Sequence, residues 1–420
     1  MLEMRKMKDS GIEWIGEIPE GWRTINPKAL FTQRKDKAQK GERQLTSSQQ
    51  YGILYQDDYM ELTGSKVVTV EKDFDILKHV EAGDFVISMR SFQGGLEYST
   101  KSGAISSAYV MLVPNLELVY PRFYRWLLKS SVYIDALQRT TNMVRDGQAM
   151  RYSNFAQVRL FTLPLDEQKS RADFLDLECS SIDKILFKTR SSIEEYKKLK
   201  QAVITQAVTK GVRGEREMKD SGVEWIGEIP KEWRKTQLRH CATIKSGITL
   251  GKSYSKDTVL IERPYLRVAN VQGGYVDLND LATIEVTPDE DLKYRLHSGD
   301  VLMTEGGDRD KLGRGCVWHG EIEPCLHQNH VFAVQTNETI LLPEFLEYLT
   351  ASDVGRSYFD VTAIKTTNLA CTSSSKVLAF TIPLPPIEEQ IEIVSFIKKR
   401  SLELNKLIMK KELLVQELES

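Results

Sequence analysis

Two long stretches of the chain place apolar residues at helical spacing and contain neither glycine nor proline. The first runs from Asp166 to about Thr209, before Gly211 and Gly214, and a helix of that extent would be ~65 Å long at 1.5 Å per residue. The second occupies residues 387–419. Because helices of this length exceed what a small domain can bury, we expect the two to pack on each other. The predicted interface comprises Ile182, Leu186, Ile193, Tyr196, Leu404, Ile408, Val415 and Leu418.

Short runs of alternating apolar and polar residues fill regions 24–160 and 235–380, and they predict strands separated by Gly, Asn and Asp turns. Examples are GDFVISMR at 83–90, GDVLMTE at 299–305 and NHVFAVQ at 329–335. A helix is predicted near the end of each region, at Tyr120–Ser131 and at Leu342–Ser352. The pattern therefore predicts an α+β fold with a large share of strand.

The chain contains an internal repeat. Met7–Arg23 recurs at Met218–Arg234, 211 positions later, with identity at 14 of 17 positions. A second match, LPLDEQ ending at Gln168 and LPPIEEQ ending at Gln390, has an offset of 222 positions, so the second copy is 11 residues longer between the two matches. A period this long indicates two copies of a whole domain rather than a solenoid.

These matches divide the chain into four predicted parts. The parts are a domain at 1–163 with the lead segment 7–23, a long helix at 164–213, a domain at 214–382 with the repeated lead 218–234, and a second long helix at 383–420. The leads and helix starts are alike, whereas the sequences between them hardly align, as two different recognition tasks would require. Ser420 corresponds to Lys198 under the second offset, so the second helix lacks a counterpart of Leu199–Val212 and is expected to be short or truncated.

Composition narrows the class of protein. The chain is 41% hydrophobic and 28% charged, carries a net charge of −2, and has no signal-peptide pattern or apolar run of the ~20 residues that a membrane span needs, so we expect a cytoplasmic protein. Its five cysteines form no CxxC pair, and no disulfide framework is expected.

The net charge argues against nonspecific coating of nucleic acid, but residues 139–159 carry four arginines and one acid. That segment is either a basic patch or an ordinary solvated loop.

The order of parts is specific. A repeated GxEWIGEIPxxW lead, a variable domain, a P[LI][DE]EQ helix start and a long helix, followed by the same parts again, resemble the specificity subunit of type I restriction-modification systems, the HsdS family. The segments ERPYLRVANVQGGYVDLNDL at 262–281, EGGDRDKLGRG at 305–315 and HQNHVFAV at 327–334 look like target-recognition segments of that family.

The resemblance implies a fold and a function. It implies two target-recognition domains, joined by two helices that pair as an antiparallel coiled coil in a pseudo-two-fold arrangement. Each domain would read one half of an asymmetric, bipartite site in double-stranded DNA. Two methylation subunits and the restriction subunits would be the partners, and no membrane would be involved. S-adenosylmethionine, ATP and Mg²⁺ are expected on those partners, and neither a cofactor nor catalysis is expected in this chain.

Polar turns of both domains supply the candidate DNA contacts, since Arg and Lys recognise guanine or phosphate and Asn and Gln recognise adenine. The candidates are Arg90, Gln93, Arg145, Gln148 and Arg151 in the first domain, and Lys252, Arg309, Lys311, Arg314, Lys365, Thr366 and Asn368 in the second. The alternative function is a two-domain scaffold that assembles partner proteins without reading DNA, which the low net charge would suit.

Motifs for catalysis or metal binding fail on spacing. SGITLGKS at 246–253 has serine where a P-loop needs its first glycine, and we interpret it as a basic loop near DNA phosphates, with Lys245, Lys252 and Lys256. Cys316, His319, Cys325, His327 and His330 lie within 15 residues but match no common zinc finger. The alternative interpretation is strand residues with alternate faces buried, and His330 or Gln328 either hydrogen-bonded or near DNA. Neither NPPY nor DPPY, the motifs that grip a flipped adenine, occurs. No catalytic residue and no metal site is therefore predicted.

Four tryptophans recur as pairs in the two leads, Trp14 with Trp22 and Trp225 with Trp233. We expect each pair to pin its lead onto its own domain through two large apolar rings. Contact with a methylation subunit is the alternative interpretation.

Overall fold

The computed structural model describes residues 5–70, 74–88, 96–140, 152–307, 312–313, 315–365 and 370–419. The chain divides into two compact units, Met1–Lys184 and Ile185–Ser420. A single helix of 46 residues, Leu165–Lys210, contains the boundary between them.

The first unit combines short strands with short helices. Its strands are Met7–Asp9 (β1), Glu17–Pro19 (β2), Arg23–Ile25 (β3), Phe31–Arg34 (β4), Leu45–Ser48 (β5), Gly52–Tyr55 (β6), Lys78–Val80 (β7), Phe85–Ser88 (β8), Glu97–Tyr98 (β9), Gly103–Ile105 (β10), Tyr109–Pro114 (β11) and Leu160–Thr162 (β12). Its helices are Pro27–Leu30 (α1), Gln56–Thr63 (α2), Pro121–Leu127 (α3), Ser131–Gln138 (α4), Tyr152–Phe155 (α5) and the first part of Leu165–Lys210 (α6).

The second unit begins with the remainder of α6. Its strands are Met218–Asp220 (β13), Glu228–Pro230 (β14), Arg234–Gln237 (β15), Ala242–Ser246 (β16), Ile261–Leu266 (β17), Ala282–Val286 (β18), Val301–Thr304 (β19), Gly306–Gly307 (β20), Gly315–Val317 (β21), Leu326–His327 (β22), Val331–Thr336 (β23), Ile364–Lys365 (β24), Ala370–Cys371 (β25) and Thr381–Leu384 (β26). Its further helices are Pro288–Tyr294 (α7), Pro343–Ala351 (α8), Asp353–Thr362 (α9), Ser374–Leu378 (α10) and Ile387–Glu419 (α11).

The two units contain the same antiparallel sheet. Its strand order is β4-β11-β8-β9 in the first unit and β16-β23-β19-β21 in the second. In each unit a lead hairpin, β1-β2 or β13-β14, precedes a strand that pairs with the last strand before the long helix, as β3-β12 and β15-β26. The interiors that hardly align in sequence therefore share one topology.

Matching elements show where the second copy is longer. Phe31 and Ala242, which begin β4 and β16, are 211 positions apart, whereas Pro121 and Pro343, which begin α3 and α8, are 222 apart. The spacing is already 222 at β11 and β23, which begin at Tyr109 and Val331. The additional residues thus lie before β23, in the part of the second unit that also forms the separate sheet β18-β17-β22.

Aromatic side chains fill the core beneath each sheet. In the first unit the fully buried Phe31 ring meets Phe85, Tyr124 and Phe155 edge to face at centroid distances of 5.4, 5.5 and 5.8 Å. In the second unit Trp233, Phe345, Phe359 and Phe380 are fully buried. Each such ring stabilises its unit by about 1.5–3 kcal/mol relative to an exposed ring.

Within the second unit, α6 and α11 pair antiparallel, which confirms the predicted arrangement of the two long helices. Lys200 Nζ donates to Asn405 Oδ1 at 3.0 Å, Lys411 lies 5.8 Å from the ring centre of Tyr196, and Arg190 forms an ion pair with Glu419. In these three contacts, higher residue numbers on α6 pair with lower residue numbers on α11. Of the predicted interface residues, Ile193 and Leu404 are buried, and Ile182, Leu186, Tyr196, Ile408, Val415 and Leu418 are partly buried.

One predicted helix is shorter than expected. The sequence pattern predicts a helix at Tyr120–Ser131, but α3 ends at Leu127 and α4 begins at Ser131. The break is stabilised by Ser130, whose backbone is extended and whose hydroxyl donates to the carbonyl of Leu127 at 2.8 Å. Local hydrogen bonding by serine competes with helix continuation here.

Candidate nucleic-acid interface

The glutamine of the repeated helix start holds each domain to its long helix in the same way. Gln168 Nε2 donates to the carbonyls of Leu118 and Leu163 at 2.9 and 2.8 Å, and its Oε1 accepts from the backbone N–H of Tyr120 at 2.8 Å. Gln390 donates to Ile340 and Pro385 at 2.8 and 2.9 Å and accepts from Leu342 N–H at 2.9 Å. The set Gln168 and Gln390 with these partners is called the glutamine latch below.

Both latch glutamines are fully buried. In each unit, the side-chain amide bonds to backbone groups just before α3 or α8 and just before the long helix. Both N–H donors and the carbonyl oxygen of each amide therefore have hydrogen-bond partners, as buried polar groups require. The motif P[LI][DE]EQ is thus a structural device that fixes the end of each domain.

The preceding glutamate of the same motif binds the lead. Trp22 Nε1 donates to Glu167 at 3.2 Å, and Trp233 Nε1 donates to Glu389 at 2.9 Å. An arginine that precedes each lead completes the pair, because Arg5 forms an ion pair with Glu167 and Arg216 forms one with Glu389. Burial opposes ionisation of Glu167, but hydrogen bonds from Arg171, Arg5 and Trp22 outweigh it and lower its pKa.

The tryptophans pack on their own domains. Trp14 lies against Tyr133 at 5.5 Å between ring centres, Trp22 stacks on Phe161 at 5.0 Å, and Trp225 lies 5.6 Å from Tyr358. Trp233 is completely buried. These contacts favour the packing role over the interface role for all four rings.

Most of the candidate DNA contacts lie outside the described residues. Those are Arg90, Gln93, Arg145, Gln148, Arg151, Arg309, Lys311, Arg314, Thr366 and Asn368, and for Lys365 the structure describes only the backbone, in β24. Their places in the topology nevertheless correspond. Residues 89–95 follow β8 and 308–311 follow β19 and β20, while 141–151 follow α4 and 366–369 come shortly after α9.

Lys252 is the one candidate whose side chain is described. Its Nζ donates to Glu290 Oε1 at 2.5 Å, and the hydroxyl of Tyr254 donates to the other oxygen at 2.8 Å. The hydrogen bond to Glu290 raises the pKa of Lys252. Burial opposes ionisation of Glu290, but the bonds from Lys252, the backbone of Thr287 and Tyr254 outweigh it and lower its pKa to about 2. A DNA phosphate would therefore compete with an internal carboxylate for the Lys252 ammonium.

A polar cavity of about 770 Å³ lies at one end of the main sheet of the second unit. It is lined by Lys245, Ser246, Gly247, Thr249, Lys293, Tyr294, Glu305, Asn329, His330, Phe332, Ser373 and Ser374. The cavity lies where the ends of three strands meet: β16 ends at Ser246, β19 ends just before Glu305, and β23 begins just after His330. This set is called the sheet-end cavity below.

The backbone around the sheet-end cavity is fixed by a close approach at Gly247. A Cβ atom at this position would lie 2.0 Å from the carbonyl oxygen of His327, so only glycine fits. The next residue joins the same two segments: Ile248 N–H donates to the carbonyl of His327 at 2.8 Å, and Asn329 N–H donates to the carbonyl of Ile248 at 3.0 Å. The segment 246–253, whose sequence is close to a P-loop motif, thus continues from β16 along the wall of the cavity.

Sequence reasoning named only part of this cavity. Lys245 was expected near phosphates, and His330 was expected either in a hydrogen bond or near DNA, while Lys293, Asn329, Ser373 and Ser374 were not candidate DNA contacts. The polar run HQNH at 327–330, between two apolar strands, was the available signal. Lys293 gave none, because its place beside the cavity depends on how α7 packs.

The crowded cysteines and histidines serve other purposes. Cys316 and Cys325 are buried in an apolar cluster, and burial raises the pKa of each thiol to about 12. Burial also lowers the pKa of His327, whose Nδ1 is 2.7 Å from the carbonyl of Val331. Within the described residues, no group of three or more His, Cys, Asp or Glu is arranged to hold a metal ion. The same part of the chain contains no helix long and apolar enough to cross a membrane.

Comparison with known proteins gives a consistent picture. No family model matches the chain. It is 24% identical over 416 residues to the type I restriction enzyme EcoKI specificity subunit of Escherichia coli, covering 90% of this chain and 82% of that protein. It is 28% identical over 174 residues to a putative type I restriction enzyme MjaX specificity subunit of Methanocaldococcus jannaschii, covering 41% of this chain but only 40% of that relative.

Solved structures show the same fold. A chain in a structure concerned with complex assembly and conformational transition of the type I R-M system superposes with a TM-score of 0.66 at 15% identity, covering 96% of this chain and 95% of that one. The HsdS subunit of Thermoanaerobacter tengcongensis superposes with a TM-score of 0.53 at 14% identity, covering 96% of each chain. The predicted α+β fold and the resemblance carried by the repeated motifs are confirmed.

Proposed function

We propose that this chain, whose relatives are specificity subunits of type I restriction enzymes, is the subunit that selects the DNA site in such a complex. Each domain reads one half of a bipartite, asymmetric site in double-stranded DNA, and the paired helices set the gap between the halves. The scaffold alternative is not favoured, because the curated relatives of the chain are named for specificity.

This proposal rests on the contrast between the shared fold of the two units and the different sequences of the segments that follow their strands. Both units have the same strand order and the same glutamine latch, yet the segments that leave the equivalent sheet ends differ in sequence throughout. A symmetric adaptor would have no reason for such divergence. Two readers of different base sequences would require it, since direct readout depends on which donors and acceptors reach the base edges.

The chain selects the site and leaves the chemistry to its partners. Two methylation subunits would bring S-adenosylmethionine, and restriction subunits would bring ATP and Mg²⁺, in a cytoplasmic complex. The paired helices offer a surface for docking, because large apolar side chains on them remain exposed in the second unit. These are Ile185, Phe187 and Leu199 on α6, and Ile391, Phe396, Leu402, Leu407, Met409, Leu413 and Leu414 on α11.

A binding assay tests the proposal. The purified chain with its methylation partner is mixed with genomic fragments, the methylated positions are sequenced, and a duplex with the recovered site is then challenged with scrambled competitor across a salt series. Specific recognition predicts preference for the site by about 10³-fold or more over scrambled DNA at physiological salt. Equal affinity for both duplexes would favour the scaffold alternative.

Domain exchange tests whether the halves are read independently. Replacing residues 24–160 with the corresponding region of another specificity subunit is expected to change one half of the methylated site and leave the other half and the gap as they were. The matched control exchanges residues 235–380 and should change the opposite half. If either exchange altered both halves, independent reading would be excluded.

A further inference from the structure

The sheet-end cavity adjoins strands that stand next to two candidate segments of the second unit in the sequence. The segment 308–311 begins just after β20, which pairs with β25, and 366–369 joins β24 to β25. Thr372 N–H donates to the carbonyl of Glu305 at 2.7 Å and ties this small sheet to the cavity. In the first unit, Arg90 and Gln93 follow β8 in the sequence, as 308–311 follow β19 and β20 in the second. Equivalent sheet ends therefore adjoin the candidate segments in both units.

The side chains that line the cavity suit DNA, which carries charged phosphates and base edges with hydrogen-bonding groups. Lys245 and Lys293 form no ion pair within the described residues. Among the described residues that line the cavity, Glu305 is the only acid. Lysine at such a site acts as a point charge for phosphate. Asn329 lines the cavity, and no described residue forms a hydrogen bond with its side-chain amide, which carries both a donor and an acceptor.

His330 is held in a defined orientation. Its Nδ1 lies 2.5 Å from Glu305 Oε2, and the backbone N–H of Glu305 donates to the carbonyl of His330 at 2.9 Å. A carboxylate partner at Nδ1 holds the imidazole proton on that nitrogen, so Nε2 is the acceptor. Nε2 has no hydrogen bond among the described residues and can therefore contact a ligand. The imidazole is 54% exposed, so an incoming base edge can reach it.

From this geometry we propose that Asn329 and His330 read base edges of the second half-site, that Glu305 positions the His330 imidazole, and that Lys245 and Lys293 hold the DNA backbone. This inference rests on the proposed function. An asparagine amide can pair with the N6 and N7 atoms of adenine, so the position read by Asn329 is an A·T pair. Gly247 lets the backbone just after β16 pass close to the carbonyls of His327 and Gln328, directly before Asn329 and His330.

Base readers and backbone contacts differ in what their loss does. Loss of a base reader weakens binding to the correct site while binding to scrambled DNA stays unchanged. Loss of a phosphate contact weakens both equally and reduces the slope of log affinity against log salt concentration by about 0.9 per contact in B-DNA. The same measurement thus distinguishes the two roles assigned to the cavity residues.

The experiment uses the whole chain with its methylation partner and a duplex that carries the methylated site. Asn329→Ala and His330→Ala are each expected to weaken binding to that duplex by about 5- to 100-fold, and to relax methylation at one base pair of the second half-site. Glu305→Gln should relax the same position as His330→Ala, to a smaller extent. Lys245→Gln and Lys293→Gln should weaken correct and scrambled duplexes alike and lower the salt slope.

Control variants separate local from general effects. His319→Ala and Asn279→Ala remove exposed residues of the same types outside the cavity, and Lys231→Gln removes the same charge in the repeated lead. Thermal unfolding of every variant checks the fold, and a variant that melts early is replaced by His330→Gln or Asn329→Ser.

The outcomes distinguish the inference from the proposed function. If the wild-type complex prefers no sequence, the proposed function fails. If the wild type is specific but the asparagine and histidine variants methylate the same sites with unchanged affinity, the cavity does not read bases and only this inference is overturned. Relaxation in the first half-site instead of the second would overturn it as well.

Discussion

Replacing a latch glutamine with methionine tests whether the repeated motif stabilises the domains. Methionine matches the length of glutamine and fits a buried site, but it can neither donate to two carbonyls nor accept from an N–H. In Gln390→Met, the carbonyls of Ile340 and Pro385 and the N–H of Leu342 all lose their partner. Gln168→Met has the same consequence in the first unit.

The expected magnitude follows from these three lost bonds. Each contributes about 1 kcal/mol net, and a buried group left without a partner costs about 1–3 kcal/mol. Gains from the more apolar side chain offset part of the loss. We expect each variant to lower the free energy of unfolding by about 3–5 kcal/mol, a large fraction of the roughly 5–15 kcal/mol that stabilises a typical domain.

Urea unfolding followed by far-UV circular dichroism measures the effect. The control is Gln416→Met, which makes the same chemical change on the exposed surface of α11. Because the two latches have matching bonds, both latch variants should lose similar amounts. A loss in Gln390→Met within about 0.5 kcal/mol of the control, the range of ordinary surface substitutions, would refute the stabilising role of the latch.

Two further predictions concern pH and the spacing of the half-sites. Burial opposes protonation of His79, but hydrogen bonds to Glu42 at 3.0 Å and Glu81 at 3.1 Å outweigh it and raise the pKa of the imidazole. This contribution to stability is complete below the unfolded pKa of about 6.5 and is lost as pH rises through the higher folded value. His79→Gln should therefore flatten the decline in thermal stability that the wild type shows as pH rises above about 6.5. An equal decline in wild type and variant would contradict this assignment. Inserting four residues after Ser192 in α6 adds about 6 Å of helix and should change the unread gap by one or two base pairs with both half-sites unchanged, as sequencing of methylated sites would show. An unchanged gap would exclude the helices as a ruler.

Several features were determined by the sequence itself. The repeat, the two long helices and their apolar faces, and the strands at 83–90, 299–305 and 329–335 were all predicted, because periodicity and repetition are local properties of the chain. The two offsets, 211 and 222, even showed that the second copy carries additional residues between its ends. The residue types expected at DNA were also named from sequence, although most of those positions lie outside the described residues.

Other features were decided only by tertiary structure. That the two divergent interiors share one strand order depends on hydrogen bonds between distant strands, which leave no sequence identity behind. The roles of Gln168 and Gln390 became clear only when the backbone partners that lie about 50 positions away, such as Leu118 and Ile340, were in place. The sheet-end cavity likewise joins Lys245, Glu305 and His330 because antiparallel pairing brings the ends of two strands to the start of a third. Sequence patterns report which residues face a core, but nonlocal pairing decides which polar residues meet at the surface, and that is where specificity would reside.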